Sequence, residues 1–186
     1  MRIIGGLLKG KLFKSLKNIN TRPLKDAVKE NIFNIIVHSK DIEVNLKNSN
    51  VLDLYSGIGS FGIECISREA KKVTFVEHDS QAFFILEQNL NHLSIIRKAN
   101  LFNNKIENFL KDNKKKKYNI FFFDPPFSDK TYFQNLSFIK ENQMFEDNHL
   151  IIIHREAKGS EKLDDVIRII NLRKYGRSKI IFGIFN

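Results

Sequence analysis

Asn119-Ile120-Phe121-Phe122-Phe123-Asp124-Pro125-Pro126-Phe127 is an apolar run that stops at a carboxylate, two prolines and an aromatic ring. A run rich in Phe and Ile reads as a strand buried on both faces. Pro125 has no N–H for a sheet ladder, so the strand must end at Asp124. Asp124, preceding a proline, is held extended, and Pro126 fixes the next φ. The stretch predicts a stiff corner at the carboxyl end of a central strand, where open α/β sheets bind ligands. An acid, the proline carbonyls and a Phe face at such a corner suit a planar ring that bears an amino group. A bare Pro-Pro could be a plain strand-end turn. The chain, however, has only three prolines, Pro23, Pro125 and Pro126, so two adjacent ones here look specified.

Upstream, Val51-Leu52-Asp53-Leu54-Tyr55 reads as a strand, Ser56-Gly57-Ile58-Gly59-Ser60-Phe61-Gly62 as a glycine loop, and Ile63 to Ala70 as a helix. Val73 to Glu77 is a second strand, ending in an acid. A lone glycine pattern is weak. Strand, loop, helix and a following acidic strand end make this one an adenosine-binding candidate, with Glu77 able to accept from a ribose diol. Asp53 lies just ahead of the loop. An anion there is poorly suited to pyrophosphate but suits a cationic amino-acid moiety, which points to S-adenosylmethionine.

Around these, Leu24, Val28, Ile32, Ile35 and Ile36 fall at helical spacing behind Thr21-Arg22-Pro23. Asp79 or Ser80 caps a helix to about Leu93. A weaker strand near Ala99 to Phe102 precedes a helix through Ile106, Phe109 and Leu110. Beyond the corner come a helix from Tyr132 to Lys140 and a strand at Leu150 to Ile153. Val166 to Leu172 and Lys179 to Phe185 form an antiparallel hairpin around Tyr175-Gly176. The expected fold is α/β, a mostly parallel sheet with helices on both faces. A single domain is expected over 1–186, with a basic ribbon at 1–20, a helix and linker at 21–48 and a core at 49–186.

The 186 residues are 42% hydrophobic and 28% charged, with a formal net charge of +10. That balance suits a polyanionic partner, most simply a nucleic acid. The first 17 residues alternate glycine, basic and apolar positions. They read equally as an ordinary β-ribbon or as an arm that touches phosphates. The run Lys114 to Lys117 reads as a solvated loop. Cys65, the single cysteine, reads as core, and its solitude favours a reducing compartment. No stretch is apolar enough to span a membrane and no signal peptide is evident, so a cytoplasmic location is expected. The histidines at 38, 78, 92, 149 and 154 lack metal-ligand spacing, and no metal is expected.

The Asp-Pro-Pro-Phe box resembles the (Asp/Asn/Ser)-Pro-Pro-(Tyr/Phe) motif of methyltransferases acting on exocyclic amines of bases or on a glutamine amide. The likeness extends over nearly the full chain. Arg2-Ile3-Ile4-Gly5-Gly6 with Lys9-Gly10, Thr21-Arg22-Pro23 with Val28-Lys29-Glu30 and Phe33-Asn34, Leu52 through Glu64 with Ser67-Arg68, and Lys174-Tyr175-Gly176 together look like the RsmD family. The resemblance implies a Rossmann-like class I S-adenosylmethionine-dependent methyltransferase, with a seven-stranded sheet and a C-terminal antiparallel hairpin. The implied reaction is methylation of a guanine N2 amine in the 16S ribosomal RNA of the small subunit, on naked RNA or a ribosomal particle; nothing in the sequence demands more than a monomer. It places Asp124, Pro125, Pro126 and Phe127 at the chemistry. It places Asp53, Tyr55, Ser56, Gly57, Gly59, Glu77, Ile106 and again Asp124 at the cofactor. Arg2, Lys9, Lys11, Arg22 and Lys29 become candidates for RNA phosphates. Two departures stand out. Leu24-Lys25-Asp26-Ala27 replaces a usual Thr-rich stretch, and Lys105 precedes Ile106 where related enzymes often carry Asp or Asn. Adenine recognition would then lean on the Ile106 backbone or on Asn103 or Asn104. Rival readings are an amino-methyltransferase on another RNA, on DNA adenine or on protein glutamine, and a non-catalytic RNA-binding protein of the same fold.

Overall fold

The opening run forms the hub of the sheet. In the computed structural model, which describes residues 1–15, 24, 26–159 and 162–186, Tyr118–Phe123 is a strand with Ile120, Phe121 and Phe123 fully buried. Its side chains alternate between two cores, as the strand period requires. Ile120 and Phe122 join one core; Phe121 and Phe123 join the other.

The described elements, in chain order, are α1 (Asp26–His38), β1 (Asn50–Leu54), α2 (Ser60–Ser67), β2 (Lys72–Glu77), α3 (Ser80–His92), β3 (Ala99–Asn103), α4 (Ile106–Asp112), β4 (Tyr118–Phe123), α5 (Tyr132–Glu141), β5 (Phe145–Glu156), β6 (Ile167–Tyr175) and β7 (Ser178–Phe185). The strands form one sheet in the order β3-β2-β1-β4-β5-β7-β6. β1 pairs in parallel with both β2 and β4, while β7 inserts antiparallel between β5 and β6. The chain therefore winds outward from β1 in one direction and from β4 in the other. The crevice at that reversal is where a doubly wound sheet offers a ligand site.

Helices α1, α2 and α3 cover one face through Ile32, Phe33, Phe61, Ile63, Leu86 and Leu90. Phe61 stacks on Phe33 at 5.2 Å and on Phe122 at 4.0 Å between ring centroids, which ties α2 to the hub strand. Helices α4 and α5 cover the other face through Ile106, Phe109, Leu136 and Ile139. Gly62, inside α2, allows this approach. A Cβ there would lie 2.2 Å from the Phe75 ring on β2.

Several features differ from the sequence reading. α2 starts at Ser60 rather than Ile63, because the left-handed Gly59 (φ 87°) ends the loop and the helix absorbs Gly62. β5 begins at Phe145, since Glu146-Asp147-Asn148 extends the ladder past a register shift while looking like a loop. The N-terminal ribbon shows a single antiparallel bridge, Arg2 to Leu12, and lies along α2 instead of forming a free arm. Asp79 does cap α3, its Oδ1 accepting from the Ala82 N–H at 2.7 Å. Thr21, Arg22, Pro23 and Lys25 lie outside the described residues. Among the described residues no helix is long and apolar enough to cross a membrane.

Candidate active site

Three neighbouring strands deliver three carboxylates to the crevice: Asp53 on β1, Glu77 at the end of β2 and Asp124 just past β4. Between them the chain turns through Tyr55 (φ 60°), Gly57 (φ 53°) and Gly59 (φ 87°). Both flanking acids brace this loop. The Gly57 N–H donates to Glu77 Oε2 at 2.7 Å, and the Gly62 N–H donates to Asp53 Oδ2 at 3.0 Å. Glu77 Oε1 also accepts from the Asp79 N–H at 2.8 Å. Gly57 is left-handed, and nothing lies within 4 Å of where its Cβ would be, so the loop backbone faces open space. Beside it the Ser56 hydroxyl is buried with no hydrogen-bond partner. A buried polar atom without a partner costs about 1–3 kcal/mol. Asp53 is 1% exposed, and burial holds its carboxyl well above the usual carboxylate range. The Gly62 amide opposes that shift, and the charges of Asp124 and Glu77 reinforce it.

The corner is held from β5. The Asp124 N–H still reaches Leu54 O at 3.4 Å, so the ladder ends where the prolines begin. Pro125 is buried; Pro126 and Phe127 are exposed, Phe127 at 38%. Arg155, itself 6% exposed, donates to the carbonyls of Pro126 (3.0 Å), Phe127 (2.9 Å) and Asp129 (3.2 Å). It fixes the corner as a rigid bracket. His154 Nδ1 lies 2.8 Å from Asp124 Oδ1, and its ring meets Phe127 edge-on at 5.8 Å between centroids. Tyr55 joins loop to corner: Asn135 Nδ2 on α5 donates to its hydroxyl at 3.4 Å. Burial raises the Tyr55 pKa, and the Asp129 charge adds to the shift.

The family described as conserved hypothetical protein 95 matches residues 1–184. The chain belongs to this family, the RsmD family. A Haemophilus influenzae relative named ribosomal RNA small subunit methyltransferase D is 35% identical over 158 residues, covering 84% of this chain and 79% of that protein. A relative of the same name from Buchnera aphidicola is 34% identical over 156 residues, covering 84% of this chain and 76% of that one. The solved structure of the provisionally named Escherichia coli methyltransferase yhhF superposes with a TM-score of 0.85 at 26% identity, covering all of this chain and 98% of that one. The sheet order and C-terminal hairpin are those of the class I S-adenosylmethionine-dependent methyltransferases.

The structure gathers Asp53, Tyr55, Ser56, Gly57, Gly59, Glu77 and the corner Asp124 to Phe127 at the carboxyl ends of the neighbouring strands β1, β2 and β4. Ile106 opens α4 and is 7% exposed, its side chain in the core shared with Val76. Asn103 is spent on β2: its Nδ2 donates to the carbonyls of Glu77 and His78, and its Oδ1 accepts from Ser80. Asn104 Oδ1 accepts from the Lys105 N–H. The Asn103 amide is therefore engaged within the protein through both its nitrogen and its oxygen. Lys29 is corrected. It is fully buried, its Nζ 3.1 Å from Arg2 O and 3.9 Å from both Asp26 and Glu64, so it cannot reach RNA. Burial lowers its pKa, with Glu64 and Asp26 opposing. Arg2 pairs with Asp26 at 3.2 Å, and Lys9 and Lys11 lie exposed on the ribbon along α2. Arg22 lies outside the described residues. Sequence reasoning left His154 at a strand end, open to facing the cleft or to packing, and assigned no role to Arg155. The signal was available: both follow Leu150 to Ile153, the strand that pairs with the corner strand. Among the described residues no group of three His, Cys, Asp or Glu is placed to hold a metal ion.

Proposed function

We propose that the protein transfers a methyl group from S-adenosylmethionine to the exocyclic N2 amine of a guanine in small-subunit ribosomal RNA. The observation that carries this reading is the Asp124–Phe127 corner, open to solvent one strand from a glycine loop braced by two acids. The residues present fit the cofactor. The unpartnered Ser56 hydroxyl, the open face of Gly57 and the carboxylates of Glu77 and Asp53 are the groups that would hold it. When bound, S-adenosylmethionine supplies a methyl group on a cationic sulfur. Guanine N2 is a poor nucleophile because its lone pair is delocalised into the ring. Asp124 and the Pro125 carbonyl accept its two hydrogens and turn the lone pair toward the methyl, while Phe127 stacks on the base. Positioning and electrostatics then supply the acceleration. The base must leave its stack to enter. Incubating the protein with label-bearing S-adenosylmethionine and small-subunit particles from a strain lacking the gene tests the reading. Label on one guanine N2 supports it; label on adenine, on protein or nowhere refutes it.

Asp53 makes cofactor binding pH-dependent. Its carboxyl keeps a proton to unusually high pH in the free protein, while a cationic ligand favours the carboxylate. Binding therefore expels a proton, and affinity rises with pH until Asp53 is ionised in the free protein. Calorimetry in buffers of differing ionisation enthalpy should show this release, and Asp53→Asn should abolish it.

A second expectation concerns RNA. Glu156 pairs with Ser178 and Tyr175 with Ser178, so the β6–β7 hairpin ends at the corner's edge of the sheet. Exposed Lys158, Lys174 and Arg177 stand there. Lys174→Gln and Arg177→Gln should each flatten the salt dependence of RNA binding, by about 0.7–0.9 in the log–log slope, and leave cofactor affinity unchanged. Titrations in graded salt measure this.

A further inference from the structure

The contact between His154 and Asp124 goes beyond the corner motif. His154 sits on β5, in register with Ile180 of β7, and is 8% exposed. Facing it are Asp124 and Phe127 from the corner. Lys179 on β7 turns its Nζ to the Gly159 carbonyl, and Arg155 on its own strand turns to the corner carbonyls. Asp124 is therefore the acid that His154 meets directly. A carboxylate has no proton to give, so His154 Nδ1 is the donor and Asp124 Oδ1 the acceptor. The neutral ring then carries its hydrogen on Nδ1 and leaves Nε2 bare.

Building on the proposed amine methylation, we infer that His154 is the positioning residue for Asp124, fixing Oδ1 so that Oδ2 alone receives the N2 hydrogen. The step balances. As the N2–CH3 bond forms, the electron pair of the breaking S–CH3 bond stays on sulfur, which leaves as a neutral thioether. N2 sheds one proton to Oδ2, and Asp124 passes it to water. His154 keeps its Nδ1 hydrogen throughout.

His154→Leu removes the donor, and His154→Asn places an amide N–H near the position of Nδ1 without an ionisable ring. The single-turnover rate on small-subunit particles should fall about ten- to a hundredfold in His154→Leu, with cofactor affinity unmoved. His154→Asn should recover most of that rate. Ring-nitrogen NMR of the free protein should find the neutral ring protonated at Nδ1 and bare at Nε2. A His154→Leu protein as fast as wild type, a His154→Asn protein no faster than His154→Leu, or a neutral ring protonated at Nε2 would each overturn the assignment. Wild type that labels no guanine refutes the proposed reaction instead, and the ring shifts then decide the His154–Asp124 pairing by themselves.

Discussion

Asp124→Ala is expected to slow methyl transfer by about a hundred- to a thousandfold in single-turnover kinetics, the scale of losing one preorganised group aimed at developing charge. Cofactor affinity should hold within about twofold, since the lost interaction matters only as the amine reacts. The structure supplies the reason for this split. Asp124 lies beyond the last ladder residue, 2.8 Å from His154, whereas the glycine loop is braced by Glu77 and Asp53. Glu77→Ala is the matched control. It removes the acceptor for the Gly57 and Asp79 amides and, in the proposed function, for the cofactor's ribose, and should weaken cofactor binding about ten- to a hundredfold. Calorimetry and rapid-quench kinetics on the same two proteins decide it. If Asp124→Ala mainly lost affinity and Glu77→Ala mainly lost rate, the two roles would be exchanged.

What could be read in the chain alone follows from how local each signal is. Phe121 to Phe123 had no polar side and stopped at Asp124-Pro125-Pro126, so burial on both faces and the strand end were fixed by neighbours in sequence. The glycine loop was equally local. Its two bracing hydrogen bonds join Gly57 to Glu77 and Asp53 to Gly62, across one βαβ unit. Lys29 failed because its burial depends on Glu64 and on the backbone of Arg2, and no helical periodicity encodes either contact. A lysine on an amphipathic helix reads as exposed until the chain that covers it is placed. His154 and Arg155 had a partial signal in their position at a strand end. Their partners lie 26 to 30 residues away across β4 and β5, and register alone brings them together. The insertion of β7 between β5 and β6 likewise came from non-local pairing, although the hairpin itself was legible at Tyr175-Gly176.

The buried cluster that misled the reading of Lys29 should give the largest stability effect in the protein. Glu64 on α2 is fully buried and accepts from the Ile4 N–H (2.9 Å), the Gly5 N–H (2.7 Å) and Arg68 Nε (3.0 Å), with Lys29 Nζ at 3.9 Å. Ser67 adds a second clasp, donating to Gly5 O at 2.6 Å and accepting from the Leu8 N–H at 2.9 Å. Glu64→Ala would leave Lys29 and Arg68 without their shared counter-charge and strip two backbone amides of their acceptor. Removing one partner of a buried ion pair costs about 3–5 kcal/mol. Against the roughly 5–15 kcal/mol that holds a domain together, this is a large fraction. Glu64→Gln keeps one acceptor oxygen and the side-chain shape, so it should lose less. Urea midpoints at neutral pH rank the three proteins, and limited proteolysis should cut the Glu64→Ala chain first in residues 1–13. An alanine variant within about 1 kcal/mol of wild type would show that the N-terminal ribbon is held by Ile3 and Phe13 in the core and not by this carboxylate.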